Sequence, residues 1–528
     1  MRAMKTTTLV GRLMRVTAVA AAVLLGNAAQ AAVPGINGTS FALEASAAHI
    51  TQPDGATVYS WGYGCSAQPT GSAPAALPLP VTGCPTMQIP GPTLIVNQGD
   101  TITVTLTNNL PAAAGRTSIL FPGFVLTAAS TGTPGALTLE ANSGGGTATY
   151  QFVATTPGTH SYYSGTQGDL QVEMGLYGAI IVVPSTIPAN CTSGLAASNL
   201  LAEAAHGEDD FRLAAAAYNH AGACYDREYL FQFSEMDPKI HLAADAVANC
   251  VGATCPTTMD SVATEPYLPA YYMINGRSMP DDMDPAYAVQ YPHQPYNGNP
   301  HMHPGELTLL RIIGQGRWQH PFHEHGNHVR VLARDGNLLL APDAAPGPTT
   351  PLAGPLLFTT TTTPGQAMDG IFQWTGKGLN WDVFGHSDGT ATAKDTCVPD
   401  SNGYYTSMPA ALNYYEWCAD HNKPLESKPF GDVGSGGPVT LPDANIVVNG
   451  PWYSGSPYLG GDANARSSGF TPIPPSGTVA NSPSEEAGFA YMWHSHNERE
   501  ITTNNIFPGG MLMMMLVDPR AFPIDESK

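Results

Sequence analysis

The sequence predicts an all-β protein built from two similar β-sandwich units. Glycine and proline account for 56 and 47 of the 528 residues, whereas only 12% of the residues are charged; this composition is typical of turn-rich β proteins. The segment GPTLIVNQGDTITVTLTNNL (91–110) alternates apolar and polar residues on either side of a Gly-Asp turn, which indicates two strands in a hairpin-like pattern. A chain of this length also exceeds what one hydrophobic core usually supports.

The strand patterns group into two units separated by a connector. The first unit spans residues 41–185 and the second spans residues 226–520, while the Ala-rich segment 186–225 connects them and is expected to be helical in part. A Gly-, Pro- and Ser-rich loop insertion at about 387–485 interrupts the second unit. Each unit contains a strand that is entered by Gly-Asp or Gly-Glu and followed later by a Pro-Gly turn. This weak repeat favours duplicated sandwiches.

The N-terminal residues 1–31 have the pattern of a secretory signal peptide. Basic residues precede the apolar run VTAVAAAVLLGNAAQAA, which ends in the small-residue sequence Ala29-Gln30-Ala31. The run is shorter than the ~20 residues that a membrane-spanning helix needs. We therefore expect an exported protein, periplasmic or extracellular, without a membrane span.

The charge balance is strongly acidic and restricts the classes of partner. Residues 1–31 carry four positive and no negative charges, so their removal changes the formal net charge from −21 to −25. Such a charge argues against binding to nucleic acid or to an anionic membrane surface. It is compatible with an exported protein that attracts cations.

Eight cysteines behind a predicted signal peptide indicate disulfide bonds. Eight cysteines allow many alternative pairings, so the sequence alone leaves the pairing open. Proximity along the chain favours the pairs Cys65–Cys84, Cys191–Cys224, Cys250–Cys255 and Cys397–Cys418.

Two histidine-rich segments are candidates for a metal site. HPFHEHGNH (320–328) places His323 and His325 on one face of a strand, because alternate side chains of a strand share a face. YMWHSHNERE (491–500) does the same for His494 and His496. Imidazoles from two neighbouring strands can surround one or two metal ions, and neutral imidazole suits copper and zinc. The alternative is a set of surface or core histidines without metal. Additional candidate ligands in the first segment are His320 and His328.

These segments, together with QVEMGLYGAIIVV (171–183), resemble the successive signatures of the multicopper oxidase family. The resemblance covers most of residues 90–184 and 271–386, and it continues through 488–519. It implies two cupredoxin-like Greek-key β-sandwich domains and a copper cofactor. In the family, substrate is oxidised at a type 1 copper and electrons pass to a trinuclear cluster that reduces dioxygen to water. Two-domain members often form trimers, so the resemblance also implies a homo-oligomer.

The resemblance assigns roles to five of the histidines. His323 takes the place of a type 2 ligand, and His325, His494 and His496 take the places of type 3 ligands. His320 matches one type 1 histidine. The other type 1 places differ, because the cysteine position holds Ser495, the later histidine position holds Glu500, and Asn505 falls near the axial place. In the first unit, the places of four cluster histidines hold Leu120, Pro122, Gly165 and Gln167, the last two on either side of Thr166.

These departures predict a reduced copper site. A blue copper site depends on a short bond to a thiolate, and a serine hydroxyl is hard and protonated at neutral pH. We therefore expect one or two copper ions and no normal type 1 site.

Three functions are compatible with this sequence. The first is a copper-dependent oxidoreductase that acts on dioxygen and on a small molecule or metal ion, with Glu498 and Glu500 as candidate acid–base groups or carboxylate ligands. The second is a non-catalytic protein that binds copper or another divalent metal. The third is a metal-free structural sandwich.

Overall fold

The computed structural model describes residues 33–75, 83–342, 344–377, 398–411, 414–417, 419, 455–459, 487–518, 520 and 523–526. The predicted signal peptide and most of the predicted insertion at 387–485 lie outside these residues. Within them strands predominate, so the predicted all-β class is confirmed. The described residues contain no helix long and apolar enough to cross a membrane.

The first twelve strands form a sandwich whose two main sheets enclose one core. They are β1 (Gly35–Asn37), β2 (Ser40–Thr51), β3 (Thr57–Cys65), β4 (Ser72–Ala73), β5 (Leu94–Asn97), β6 (Thr101–Asn108), β7 (Thr117–Ser118), β8 (Thr133–Pro134), β9 (Leu139–Ala141), β10 (Thr147–Val153), β11 (Gly158–Tyr163) and β12 (Tyr177–Val183). The main sheets have the orders β11-β12-β5-β1-β4 and β10-β6-β2-β3, and a smaller sheet has the order β7-β9-β8. Leu94 and Ile180 from one main sheet and Val104 and Tyr150 from the other belong to a single buried cluster.

The turn at Gly99-Asp100 does not form the predicted hairpin. It joins β5 to β6, which lie in different sheets. Gly99 has a positive φ of 94°, a backbone conformation that favours glycine. The alternating pattern gives the buried face of each strand, and two strands on opposite sides of one core have the same pattern. The hairpin prediction was therefore wrong, although both strands are present.

The second sandwich contains thirteen strands. They are β13 (Arg227–Met236), β14 (Tyr271–Ile274), β15 (His301–Met302), β16 (Leu307–Gly314), β17 (His320–Glu324), β18 (Val329–Arg334), β19 (Asn337–Leu338), β20 (Leu356–Leu357), β21 (Thr359–Thr362), β22 (Ala367–Gln373), β23 (Gly455–Leu459), β24 (Ala487–Ser495) and β25 (Leu512–Val517). One sheet has the order β14-β13-β16-β22-β18-β19 with β20 beside β18, and the other has the order β15-β25-β24-β17-β21 with β23 beside β24. Phe231 and Leu310 from the first sheet share a core with Phe322, Trp493 and Met513 from the second.

Among the described residues, helices are few and lie outside the sheets. They are α1 (Gly168–Gln171), α2 (Gly194–Ala205) and α3 (Pro238–Ala248), with 3-10 turns at Ala112–Ala114, Ala189–Thr192, Met259–Ser261 and Asp281–Met283. The expected helical part of the connector is α2. The Asp237 side chain caps α3 by accepting a hydrogen bond from the Lys239 amide, and Pro238 occupies the first turn. Ile240 and Ala244 pack α3 against the core of the first sandwich, although the predicted boundaries assign this segment to the second unit.

Three of the predicted disulfide bonds are confirmed. Cys65 pairs with Cys84, Cys191 with Cys224, and Cys250 with Cys255. The predicted pair Cys397–Cys418 lies outside the described residues. Each of the three bonds closes a short segment of chain and therefore restricts the unfolded state.

Candidate metal centre

Three buried histidines from two neighbouring strands direct ring nitrogens at one point. Strands β17 and β24 pair antiparallel, with His323 directly opposite His494. His325 directly follows the last residue of β17. Its ring lies on the side that strand alternation predicts, with its centroid 4.9 Å from that of His323. One nitrogen from each ring lies within 4.8 Å of the others, an arrangement that could hold a metal ion.

Hydrogen bonds at Nδ1 orient two of these rings. The Nδ1 of His494 lies 2.7 Å from the backbone carbonyl oxygen of Ser495. A carbonyl only accepts, so Nδ1 carries the proton and Nε2 presents a lone pair. That Nε2 lies 3.2 Å from Nε2 of His325. Two nitrogens bound to one tetrahedral metal at ~2.0 Å would lie ~3.3 Å apart, so the observed spacing fits a shared ion.

The ring of His323 is held from the neighbouring strand β21. Its Nδ1 lies 2.7 Å from the hydroxyl oxygen of Thr359, which leaves Nε2 as its nitrogen on the metal side. Polar groups that bind the outer nitrogen of a ligand histidine fix the ring and support metal affinity.

Burial favours the neutral form of His323 and His494. It lowers the pKa of His323 to about 4, with further contributions from His494 and His496. Burial likewise lowers the pKa of His494. Only the neutral imidazole has a lone pair for a metal, so this environment prepares the ligands at neutral pH.

Replacing Thr359 by valine should weaken Zn²⁺ binding about tenfold, because outer hydrogen bonds to ligand histidines typically contribute at least that much. Competition with a chromogenic chelator would measure the affinity. Thr361→Val is the matched control, since Thr361 lies in the same strand with an exposed side chain. An equal loss in both variants would contradict a specific role for Thr359.

Two other candidate ligands, His496 and His328, lie outside the group of three buried rings. The side chain of His496 is 54% exposed, and its ring centroid lies 4.8 Å from that of His323. It therefore stands at the solvent side of the three buried rings. His328 stacks on Phe358 at a centroid distance of 3.8 Å and is not among the convergent histidines.

His320 lies in a separate, fully buried cluster. Its Nε2 is 2.9 Å from a carboxylate oxygen of Glu235, and its Nδ1 is 2.9 Å from one of Glu500. Burial lowers the pKa of His320, but the hydrogen bonds to Glu235 and Glu500 outweigh it and raise the pKa to about 9. Both ring nitrogens therefore carry protons at neutral pH, and neither presents a lone pair to a metal.

Ser495 and Glu500 complete this cluster. The Ser495 hydroxyl donates a hydrogen bond to the carboxylate of Glu500. The other carboxylate oxygen of Glu500 accepts one from the side-chain amide of Asn497 at 2.8 Å. Glu500 thus binds His320 and Ser495 instead of facing the convergent histidines. Glu498 has an 81% exposed side chain, 3.9 Å from Nδ1 of His496.

The sequence predictions did not include Glu235. It lies on β13, a strand in which every residue is buried, and its other carboxylate oxygen accepts hydrogen bonds from the backbone amides of Arg317 and Trp318 at 2.6 and 2.8 Å. A charged residue near the end of a strand rich in aromatic residues is the signal that could have identified it.

The histidine places of the first sandwich contain no histidine in the structure either. Leu120 and Gly165 line a cavity of about 350 Å³, together with residues of the second sandwich that include Gln315 and Arg317. Apolar, amide and guanidinium side chains of this kind do not bind copper ions in the way that imidazoles do. These residues of the first sandwich therefore contribute no imidazole to the lining of this cavity.

Comparison with known proteins gives a family relationship for the first sandwich. Residues 84–186 match the multicopper oxidase family. The chain is 36% identical over 94 residues to copper resistance protein A of Pseudomonas syringae pv. tomato, a match that covers 18% of this chain and 14% of that protein. The chain thus matches about a seventh of the length of this curated relative.

Solved structures of similar proteins include two from Nitrosomonas europaea. Its blue copper oxidase is 15% identical, with a TM-score of 0.43 and coverage of 90% of this chain and 85% of that one. Its copper nitrite reductase is 17% identical, with a TM-score of 0.39 and coverage of 64% and 84%. The convergent histidines lie outside the segment that matches the family. Residues 84–186 therefore relate this part of the chain to the multicopper oxidase family.

Proposed function

We propose that this chain is an exported copper-binding oxidoreductase with one histidine centre and without a normal type 1 blue copper site. The observation that carries the proposal is the convergence of ring nitrogens from His323, His325 and His494 within 4.8 Å. Bound copper would supply one-electron redox chemistry there. The relationship of residues 84–186 to multicopper oxidases supports copper over zinc.

The residues around the centre are suited to binding one ion that solvent or a substrate can reach. Thr359 and the Ser495 carbonyl hold the rings of His323 and His494. His496 is exposed beside them, so a small molecule or a metal ion can approach from solvent. Three protein ligands leave a coordination position for an exogenous group, as in catalytic metal sites.

The cluster around His320 supports the absence of a blue site. Ser495 supplies a hydroxyl in place of a thiolate, and Glu500 and Glu235 bind both nitrogens of His320. These groups do not fit a type 1 copper, because a protonated imidazole and a hydroxyl are not ligands of the required kind. The proposed oxidoreductase therefore receives electrons directly at the histidine centre.

Export is part of the proposal. The N-terminal pattern of residues 1–31 predicts a signal peptide. Three disulfide bonds support it, since such bonds persist in oxidising compartments and are rare in the cytosol. The domain limits and the trimer implied by the family resemblance stay predictions.

The second candidate function is copper or divalent-metal binding without turnover. The placement of the acidic residues favours it: among the described residues, Glu500 is engaged by His320 and Ser495, and Glu498 extends into solvent. Neither is held in position for proton transfer at the centre. Catalysis would then depend on groups from substrate or solvent.

Metal counting combined with oxygen consumption tests the proposal. The purified chain is loaded with Cu²⁺, desalted and measured for copper per chain, visible absorption, and oxygen uptake with a phenol or a reduced metal ion. We expect one copper, no intense thiolate-to-copper band, and oxygen uptake. One copper without oxygen uptake supports the binding function. Absence of bound metal contradicts both, and an intense blue band contradicts the missing type 1 site.

A further inference from the structure

Ser495 connects the cluster around His320 to the three convergent histidines. Ser495 ends strand β24 and directly follows His494 in the chain. Its hydroxyl binds Glu500, while its backbone carbonyl accepts the Nδ1 proton of His494. The side chain of Ser495 thus belongs to one cluster, and its main chain belongs to the other.

The contacts on the far side of Ser495 are buried and come from several elements. Glu500 binds His320 of β17, and His320 binds Glu235 of β13. Glu235 is held in turn by the amides of Arg317 and Trp318. All four side chains from Glu235 to Ser495 are buried, with exposures of 2% or less, so water does not compete with these bonds.

The orientation of Ser495 is therefore determined by groups that do not bind the metal. The hydroxyl bond to Glu500 and the backbone amide bond to Met511 hold Ser495 in place, and its carbonyl accepts the hydrogen bond from the His494 ring. Hydrogen bonds to the outer nitrogen of a ligand histidine fix both its tautomer and its ring angle. A hydrogen-bonded path thus runs from β13 to a ligand nitrogen.

We propose that His320, Glu500 and Ser495 are positioning residues of the metal centre, forming with Glu235 a buried bridge that sets the ring angle of His494. This inference rests on the proposed function, since it assigns His494 as a ligand. It gives His320 a role distinct from metal binding, and it explains why a buried serine and glutamate occupy these positions. The bridge acts through the main chain of Ser495.

The test uses the folded, full-length protein with Co²⁺, whose visible spectrum reports ligand geometry, and with Zn²⁺ for affinity. Ser495→Ala removes the hydroxyl bond to Glu500 without removing a charge, and His320→Gln removes the imidazole between Glu235 and Glu500. Both variants should bind one Co²⁺ per chain with altered band positions and intensities, and Zn²⁺ affinity should fall about tenfold. His49→Gln, which replaces an exposed histidine of β2, should match the wild type.

Two results would overturn the inference. Wild-type Co²⁺ spectra and Zn²⁺ affinity in both variants would show that the bridge does not position the centre. Loss of one coordinated nitrogen from the Cu²⁺ electron paramagnetic resonance pattern of His320→Gln would show that His320 is itself a ligand.

A metal-free measurement separates this inference from the proposed function. The amides of Ser495 and His496 donate to the carbonyls of Met511 and Pro321, and their hydrogen exchange reports the order of this segment. We expect exchange to accelerate at least tenfold in Ser495→Ala. If the wild type binds no metal, the proposed function fails, and unchanged exchange in the variant would also reject the bridge.

Discussion

Replacing His494 by alanine should lower the affinity for copper by about a hundredfold or more. The substitution removes one of three converging imidazoles, and even the loss of an outer hydrogen bond to a ligand costs 10–100-fold. It also leaves Nε2 of His325 without the neighbouring ring nitrogen at 3.2 Å. Titration against a copper chelator of known affinity measures the effect directly.

Thermal unfolding gives an independent measurement of the same loss. A ligand that binds only the folded chain stabilises it by RT ln(1 + [L]/Kd), which is about 2.7 kcal/mol at a hundredfold excess over Kd. Wild type should therefore show an increase in Tm on addition of copper, whereas His494→Ala should show almost none at the same concentration. The apo forms should unfold at similar temperatures, because the ring of His494 is a small part of the core.

The control for this prediction is His49→Ala, which removes an exposed histidine far from the centre along the chain. It should retain the copper affinity and the increase in Tm of the wild type. His328→Ala tests the sixth candidate ligand, and its stacking on Phe358 predicts little effect on affinity. Undiminished copper binding in His494→Ala would place the ligands elsewhere.

The face of each histidine strand could be predicted from sequence, but the end of the strand could not. Alternation predicts that His494 and His496 share a face. The two rings do lie near each other, with centroids 5.5 Å apart. However, His496 follows the last residue of β24, and its side chain is exposed to solvent. Where a strand ends depends on its partner strands and on the following turn, and neither is encoded in the two-residue period.

Contacts between distant segments could not be predicted from the sequence either. Glu235 and His320 are 85 residues apart along the chain, and their meeting depends on which strands enter which sheet. The same applies to β5 and β6. Their alternating pattern correctly predicts two strands, but it does not predict that they lie in different sheets. By contrast, α3 could have been predicted, because Asp237 followed by Pro238 is a strong helix-start signal.

The stability that His320 contributes should depend on pH in a defined direction. Its pKa is raised from 6.5 to about 9 in the folded chain, so the folded state binds the proton more tightly than the unfolded state does. The contribution is fully present below pH 6.5 and is lost as pH rises through 9. A shift of this size corresponds to about 3 kcal/mol.

The free energy of unfolding of wild type and His320→Gln, measured by chemical denaturation between pH 6 and pH 10, isolates this contribution. Their difference should be largest at pH 6 and should decrease toward pH 10, because glutamine does not titrate. The charged and titratable groups that face His320 are Glu235 from β13 and Glu500 after β24, with Tyr267 3.3 Å from Glu235. A difference that is independent of pH would mean that folding does not raise the pKa of His320. The ring would then be neutral above pH 6.5, and the bridge could not consist of an imidazolium between two carboxylates at neutral pH.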